Sequence, residues 1–452
     1  MGPHQIAPKL TPEQYETNFA DITPRMSQQQ AAIEAARCLY CFDAPCTQAC
    51  PTHIDVPAFI KKIFHRNLRG SARAILSANI LGESCGRVCP TEELCEGACV
   101  MHEKGERAIE IGRLQRYAVD HVLDKNIALF RAGAPNGKRV ACIGAGPASL
   151  ACAAELAQRG YEVTIFDKNE LAGGLSTYGI AAYKTRAADS LREVEYVRAL
   201  GVKFRQKTAV GRDISFEELE KQFAAVFIGV GLGETQELKL PGEELKGVYP
   251  ALEFIGQTKT KKFEEVEIGK RVACIGAGNT AIDVVTASRR LGAETVYLIY
   301  RRSEREMSAF PYEYEIGKKD GVVFHFQTQP VRILGRDGVV TGIECVRTRL
   351  GAPDARGKRT PETIPGSNFV LEVDMVVRAV GQKPVTDFLR QVRGVELRPN
   401  GTIVTNELHQ TGNKKYFAAG DCVNGGKEVV DAVAEGMAAA KAMDASLSKP
   451  RG

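Results

Sequence analysis

Two kinds of apolar spacing divide this chain. Up to about residue 130 the apolar positions recur at helical intervals; from residue 139 they come as short unbroken runs closed by glycine turns. In the first region Thr11-Pro12-Glu13 has the cap-then-proline form of a helix start, and a second helix is expected from about Ser27 to Arg37. Val56–Arg66 and Ser71–Ile80 carry apolar residues at helical spacing, with Lys61, Lys62 and Arg66 on a solvated face. Arg131–Lys138, rich in glycine, alanine and proline, reads as a linker.

Beyond the linker the order becomes strand, glycine turn, helix, strand. Arg139–Ile143 is a buried-strand run, followed by Gly144-Ala145-Gly146-Pro147-Ala148-Ser149, a helix to about Arg159, and a strand Glu162–Phe166 ending at Asp167. The order then repeats as Arg271–Ile275, Gly276-Ala277-Gly278-Asn279-Thr280-Ala281, a helix, and Val296–Tyr300. A third signal, Phe417-Ala418-Ala419-Gly420-Asp421, precedes Gly425-Gly426-Lys427 and an alanine-rich helix to about Met443. The expected fold is α/β: a helical N-terminal domain over residues 1–130, then two Rossmann-like dinucleotide-binding domains. The second of these, at 253–380, would be inserted into the first, which spans 131–252 and 381–452.

A glycine turn between strand and helix lets the backbone approach a pyrophosphate, and the helix N-terminus supplies N–H donors and partial positive charge. Asp167 ends the second strand, where a carboxylate accepts hydrogen bonds from a ribose diol, as FAD or NAD requires. Lys168 and Gly173-Gly174-Leu175 resemble the flavoprotein continuation of the motif. The second turn lacks that acid; Arg301 and Arg302 stand in its place, with Arg305 just beyond. Guanidinium groups there would pair with a 2′-phosphate, which points to NADPH over NADH, the alternative being a basic surface turn. Gly420-Asp421 resembles the segment with which two-dinucleotide flavoproteins hold the flavin ribityl and phosphate. The helix after Lys427 would aim its N-terminus at the flavin ring.

Eight of the thirteen cysteines fall in one short stretch, as Cys38-x2-Cys41-x4-Cys46-x3-Cys50 and Cys85-x3-Cys89-x5-Cys95-x3-Cys99. Both quartets place proline directly after a cysteine, at Cys50-Pro51 and Cys89-Pro90. Thiolates this close suit iron–sulfur clusters or zinc, and the spacing with Cys-Pro resembles ferredoxin-type 4Fe–4S runs. Two nucleotide turns downstream give electrons an entry point and favour iron–sulfur; structural zinc remains the alternative. Cys142, Cys152, Cys274, Cys345 and Cys422 form no CxxC pair and read as core thiols. The few histidines are scattered, so no side chain is assigned a catalytic acid–base role.

Composition narrows the rest. A formal charge of +5 over 452 residues, with 44% apolar and 25% charged residues, is too diffuse for a nucleic-acid partner. No apolar run approaches the ~20 residues that span a bilayer, so no membrane partner is expected. Met1-Gly2-Pro3-His4-Gln5-Ile6 lacks the apolar core of a secretory signal and puts Ile6 where myristoylation needs Ser or Thr. A cytoplasmic location is expected.

With cysteine quartets, flavin turn, nucleotide turn and Gly-Asp segment in this order, residues from about 15 to 445 resemble a known electron-input module. That module forms the small subunit of glutamate synthase and the N-terminal half of dihydropyrimidine dehydrogenase, which in some bacteria is a separate subunit. Three details lean to the latter branch: Ser149 ending GAGPAS, the GGLST of Gly173–Thr177, and Gln115 in Ile111-Gly112-Arg113-Leu114-Gln115, where the other branch has glutamate. The resemblance implies FAD and two 4Fe–4S clusters, one on Cys38, Cys41, Cys46 and Cys99, the other on Cys50, Cys89, Cys95 and Gln115. Cys85 is then left as a packed thiol. It also implies FAD contacts from Lys184, Val210 and Val429 and nucleotide contacts from Ala379, Val380 and Gly381. Ser308 stands where that branch has a further arginine near the 2′-phosphate, so Arg305 would substitute or NADH would be accepted.

The function so implied is electron transfer from NAD(P)H through FAD and both clusters to a partner subunit containing FMN and iron–sulfur clusters. The pair would form a heterotetramer reducing uracil or thymine to the 5,6-dihydro base. The alternatives are a glutamate synthase small subunit feeding a large amidotransferase, a free-standing NAD(P)H diaphorase, and a zinc-stapled nucleotide-binding module without turnover.

Overall fold

The computed structural model describes residues 5–353 and 359–448, so Met1-Gly2-Pro3-His4 of the N-terminal motif lies outside the described residues. Contacts divide the chain into two compact units. One holds Ile22–Thr177, Lys184–Gly233 and Pro384–Gly452; the other holds Met1–Asp21, Tyr178–Tyr183 and Glu234–Lys383.

Helix α1 (Pro12–Asn18) starts where the cap-then-proline signal put it, with Thr11 and Gln14 bonding reciprocally. Its place is with the second unit rather than with the other N-terminal helices. Phe19 stacks on Phe263 at 4.0 Å, and the Asn18 side chain donates to the Arg290 carbonyl.

The helical part of the first unit contains α2 (Gln28–Ala36), α3 (Pro45–Gln48), α4 (Val56–Phe64), α5 (Leu68–Ala78), α6 (Gly82–Val88) and α7 (Ile111–Asp124). Asp55 and Asn67 cap α4 and α5 with side-chain oxygens. The apolar stripes of α4, α5 and α7 meet in a core where Phe59, Ile60, Ile75, Leu114 and Val119 are fully buried.

The same unit carries the first glycine turn. Strands β1 (Arg139–Ile143) and β2 (Glu162–Phe166) flank α8 (Pro147–Gln158), matching the expected strand bounds. A short helix α9 (Leu175–Tyr178), helix α10 (Ala187–Arg198), strand β3 (Lys203–Arg205), helix α11 (Phe216–Gln222) and strand β4 (Ala225–Ile228) follow.

The second unit repeats the design. It contains β5 (Val248–Pro250), α12 (Ala251–Thr260), β6 (Arg271–Ile275), α13 (Asn279–Arg290), β7 (Thr295–Ile299), α14 (Pro311–Lys319) and β8 (Val323–His325). Strand β7 starts and ends one residue before the expected Val296–Tyr300. An antiparallel sheet absent from the sequence expectations follows: β9 (Thr328–Arg336), β10 (Val339–Pro353), β11 (Arg359–Thr363) and β12 (Phe369–Leu371). Its first hairpin turns at Asp337-Gly338, φ 51° and 77°, the positive pair that a two-residue hairpin loop needs. Strand β13 (Met375–Arg378) then completes a parallel sheet ordered β5-β13-β6-β7-β8.

From Pro384 the chain is back in the first unit, starting with α15 (Thr386–Leu389). Strand β14 (Tyr416–Ala418) pairs with β4 to give the parallel order β14-β4-β1-β2-β3, and α16 (Asp421–Asn424) and α17 (Val429–Ser448) close the fold. Among the described residues no helix is long and apolar enough to cross a membrane.

Candidate redox and nucleotide sites

The first quartet of cysteines sits on a strained loop. Tyr40, Ala44 and His53 take left-handed backbone at φ 52°, 39° and 50°. Such residues cost about 1–3 kcal/mol each and persist where the surroundings hold them for a purpose. Cys38 follows the end of α2, Cys46 lies within α3, and Cys99 caps a 3-10 turn at Val100–Lys104. A pocket gathers Cys38, Cys41, Cys46 and Cys99 with Ile60 and Met101 on its wall. This is the set of four thiols expected for one cluster. Burial pushes Cys38 upward and Cys46 to about 11, so loading a metal centre here displaces protons. Among the described residues no three His, Cys, Asp or Glu side chains converge on the point a single ion would occupy. The four thiols line one pocket, and closely spaced thiols are the ligands of iron–sulfur clusters.

Cys50, Cys89 and Cys95 lie close enough for their charges to act on one another; the hydrogen bond with Cys85, then burial, raises Cys89, and burial raises Cys95. Gln115 is buried on α7, and its Nε2 donates to the Gly82 carbonyl at 2.8 Å. That leaves Oε1 as the end free to ligate. No hydrogen bond joins Gln115 to the three thiols among the described residues. Cys85, one turn before Cys89 on α6, is buried and hydrogen-bonded to Cys89. Cys85 therefore adjoins Cys89, while Gln115 is tied to the start of the same helix.

The flavin-type turn is built as its chemistry demands. Gly144 is at φ 90°, and a Cβ there would lie 2.5 Å from the Gly229 carbonyl oxygen. Gly146 and Gly174 face each other so closely that a Cβ on Gly174 would come within 2.7 Å of the Gly146 Cα. Asp167 accepts from the Ala145 N–H and the Asn169 N–H, both at 2.7 Å, while burial raises its carboxyl. Ser149 is fully buried beside the turn, with no partner for its hydroxyl among the described residues, a donor suited to a pyrophosphate oxygen. The distal Gly420-Asp421 joins the same place: a Cβ on Gly420 would meet Ala148 at 3.1 Å. Asp421 accepts from the Lys427 N–H, and the Gly420 N–H donates to Glu435 at 2.8 Å. Pro147, Ala148 and Leu175 lie within these elements; Lys184 and Val210 are buried, and Val429 opens α17. These residues fit a bound FAD.

In the second unit Gly276 is at φ 135°, and a Cβ would strike the Ala379 carbonyl oxygen at 2.1 Å. Ala379 and Val380 thus close on the turn from the end of β13, and Gly381 accepts from the Gln236 N–H. Asn279 accepts from the Phe310 N–H, while Ser308 and Ala309 donate to the Ala277 carbonyl. Ser308 is therefore placed at the glycine turn itself. Thr280 lies in the first turn of α13. Beyond β7, Arg301 and Arg305 are exposed and Arg302 half-buried. The new sheet supports them: Thr348 donates to the Arg301 carbonyl at 2.7 Å, and Gln327 to the Arg302 carbonyl at 2.9 Å. Ser303 and Glu306 cap the turn carrying Arg305, and Arg302 Nε has no partner among the described residues. An anion such as a 2′-phosphate fits this group.

A pyridine nucleotide-disulphide oxidoreductase family matches residues 138–436. The chain belongs to that family. Residues 15–127 match a second family, the 4Fe–4S cluster domain II of dihydropyrimidine dehydrogenase. The small chain of NADPH glutamate synthase from Escherichia coli is 37% identical over 438 residues, covering 93% of this chain and 92% of that one. The beta subunit of the NADP(+)-dependent formate dehydrogenase from Moorella thermoacetica is 36% identical, over 89% of this chain and 60% of its own. In fold, Mycobacterium tuberculosis FprA in complex with NADPH superposes with TM-score 0.56 at 20% identity, over 69% of this chain and 84% of that one. The domain with its 4Fe–4S signature and the Rossmann-like flavin and nucleotide domains mark an NAD(P)-dependent flavin oxidoreductase. Whole-chain similarity favours glutamate synthase small chains, against the lean towards dihydropyrimidine dehydrogenase drawn from Ser149, the GGLST run and Gln115.

Proposed function

We propose that this chain is an electron-input subunit that takes electrons from NADPH and passes them to a larger partner of the glutamate synthase type. The observation that carries the reading is one compact unit holding both the four-thiol pocket and the flavin-type turn with its buried, unpartnered Ser149. When bound, FAD would supply the exchange between a two-electron hydride donor and one-electron clusters, its protons returning to solvent. Gly144–Ser149, Asp167 and Gly420-Asp421 would hold it; the thiols, with Gln115, would hold two clusters; Gly276–Thr280 and the arginines after β7 would hold the nucleotide. The thirteen free thiols suit the reducing cytoplasm.

The test is anaerobic purification of the tagged chain from its native host with its companions, followed by NADPH oxidation assays. Turnover with glutamine plus 2-oxoglutarate supports the reading; turnover with uracil alone overturns the partner assignment. The uracil reading, with an FMN-containing partner in a heterotetramer, keeps one observation in its favour. The Gln115 amide donates to the Gly82 carbonyl, and a glutamate at that position has no hydrogen to give.

Two substitutions test residue roles. Arg301→Ala with Arg302→Ala is expected to raise KM for NADPH at least tenfold and to leave that for NADH within twofold, as steady-state kinetics will show. Equal effects on both nucleotides would remove the 2′-phosphate role. Gln115→Ala is expected to change the EPR spectrum of one cluster with FAD content intact, while Cys85→Ser leaves iron stoichiometry unchanged. The reverse pattern would assign the fourth ligand to Cys85.

A further inference from the structure

Helix α10 lies in the first unit between the flavin-type turn and α6, and each side of one of its turns grips a different element. On one side, Ser190 shares a hydrogen bond of 2.9 Å with Thr177, which itself donates to the Ala172 carbonyl at 2.6 Å. These two side chains fill the space above Gly173, where a Cβ would come within 2.0 Å of the Thr177 hydroxyl. The GGLST run is thereby fixed to α10.

One turn further on, the Glu193 carboxyl group reaches α6. It accepts from the Glu83 N–H at 2.8 Å and the Ser84 N–H at 3.0 Å, and the Ser84 hydroxyl donates to its second oxygen. Glu193 is only 2% exposed. Unpaired N–H groups of a first helical turn need an accepting oxygen, which the Glu193 carboxyl supplies. Helix α6 ends at Cys89, and the Gly82 carbonyl at its start holds the Gln115 amide. Neighbouring contacts repeat along the same face of α10: Asp189 with Arg87 at 3.0 Å, Arg192 with Asp120 at 3.2 Å, and the Tyr196 hydroxyl accepting from the Leu129 N–H at 3.2 Å.

We propose that Glu193 is a positioning residue for electron transfer from flavin to cluster: it ties the helix carrying Cys89 to the turn of α10 that holds the flavin loop through Ser190. The proposal rests on the electron-input reading above. Electron-transfer rate falls steeply with donor–acceptor distance, so loosening α6 slows this step and spares the hydride step before it. Burial raises the Glu193 carboxyl to about 8, so near neutrality a glutamine amide is a close substitute for it.

The experiment is anaerobic stopped-flow mixing with NADPH, reading flavin bleaching and cluster reduction separately, with freeze-quench EPR and amide hydrogen exchange over residues 82–88. Glu193→Ala is expected to slow cluster reduction at least tenfold, leave flavin bleaching within twofold, and speed exchange at 82–88. Glu193→Gln is expected to restore cluster reduction to within about threefold. Should Glu193→Ala fail to fold, Ser84→Ala, which removes one hydroxyl, is expected to slow cluster reduction about threefold with the same selectivity. Unchanged cluster reduction, or equal slowing of both steps, overturns the proposal. A wild-type protein that binds neither flavin nor iron overturns the electron-input reading instead.

Discussion

Gly276→Ala is expected to abolish reduction by NADPH, by at least a hundredfold, while the protein keeps its flavin. The reason is local and rigid. Strand β13 runs beside β6 with Arg378 opposite Ile275, which delivers Ala379 directly over the turn. A methyl at residue 276 would lie 2.1 Å from the Ala379 carbonyl oxygen and 2.8 Å from its carbon, and both are backbone atoms. The φ of 135° adds strain of about 1–3 kcal/mol for any L side chain. The turn must therefore move, and with it the N–H groups at the start of α13. The flavin-type turn belongs to the other compact unit, so flavin content and reduction by dithionite should be unchanged. Normal bleaching by NADPH in this variant would show that the second turn is not the nucleotide site.

Cys46→Ala is expected to remove one cluster and keep the other. Iron and labile sulfide should fall to about half, one of two EPR signals should vanish, and FAD should remain at wild-type content. Cys46 is one of four thiols lining the same pocket, on a helix that begins at Pro45 after the left-handed Ala44. Cys152→Ala is the matched control: Cys152 is fully buried in the core, packed near Met443, and iron content should not change. Loss of all iron in Cys46→Ala would mean that the two sites do not load independently. No change would exclude this pocket as a cluster site.

How much of this was legible in the sequence depended on the range of the interactions. Strands β1, β2 and β6 and both glycine turns were visible because unbroken apolar runs and turn glycines are local signals, and the structure reproduces their ends. The antiparallel sheet β9–β12 was missed although Asp337-Gly338 marks its hairpin. Its strands pair over turns and bulges rather than by one repeated helix–strand unit, so no single local signal defines the sheet. Residues 5–21 join the nucleotide unit through long-range contacts such as Phe19 on Phe263 and the Ala7 N–H on the Ile268 carbonyl, which spacing along the chain does not encode. The four thiols of the pocket were grouped through family resemblance, since Cys99 lies far in sequence from Cys38, and the structure brings them together. Gln115 and Cys85 were separated on the same basis; in the structure Cys85 bonds Cys89, and Gln115 bonds the Gly82 carbonyl at the start of α6. Ser190, Glu193 and Glu435 carried no motif at all. Their partners Thr177, Ser84 and Gly420 become neighbours only once the helices pack.

The central claim is that electrons enter this chain from NADPH at a flavin and leave it through iron–sulfur clusters. The measurement that tests it most directly is an anaerobic titration of the purified chain with NADPH, followed by visible absorption and low-temperature EPR. A brown-yellow protein is expected, its flavin absorbance bleaching first, followed by the EPR signal of a reduced 4Fe–4S cluster. A colourless protein containing zinc, or a flavin that bleaches while the clusters stay oxidised with any amount of NADPH, would contradict it.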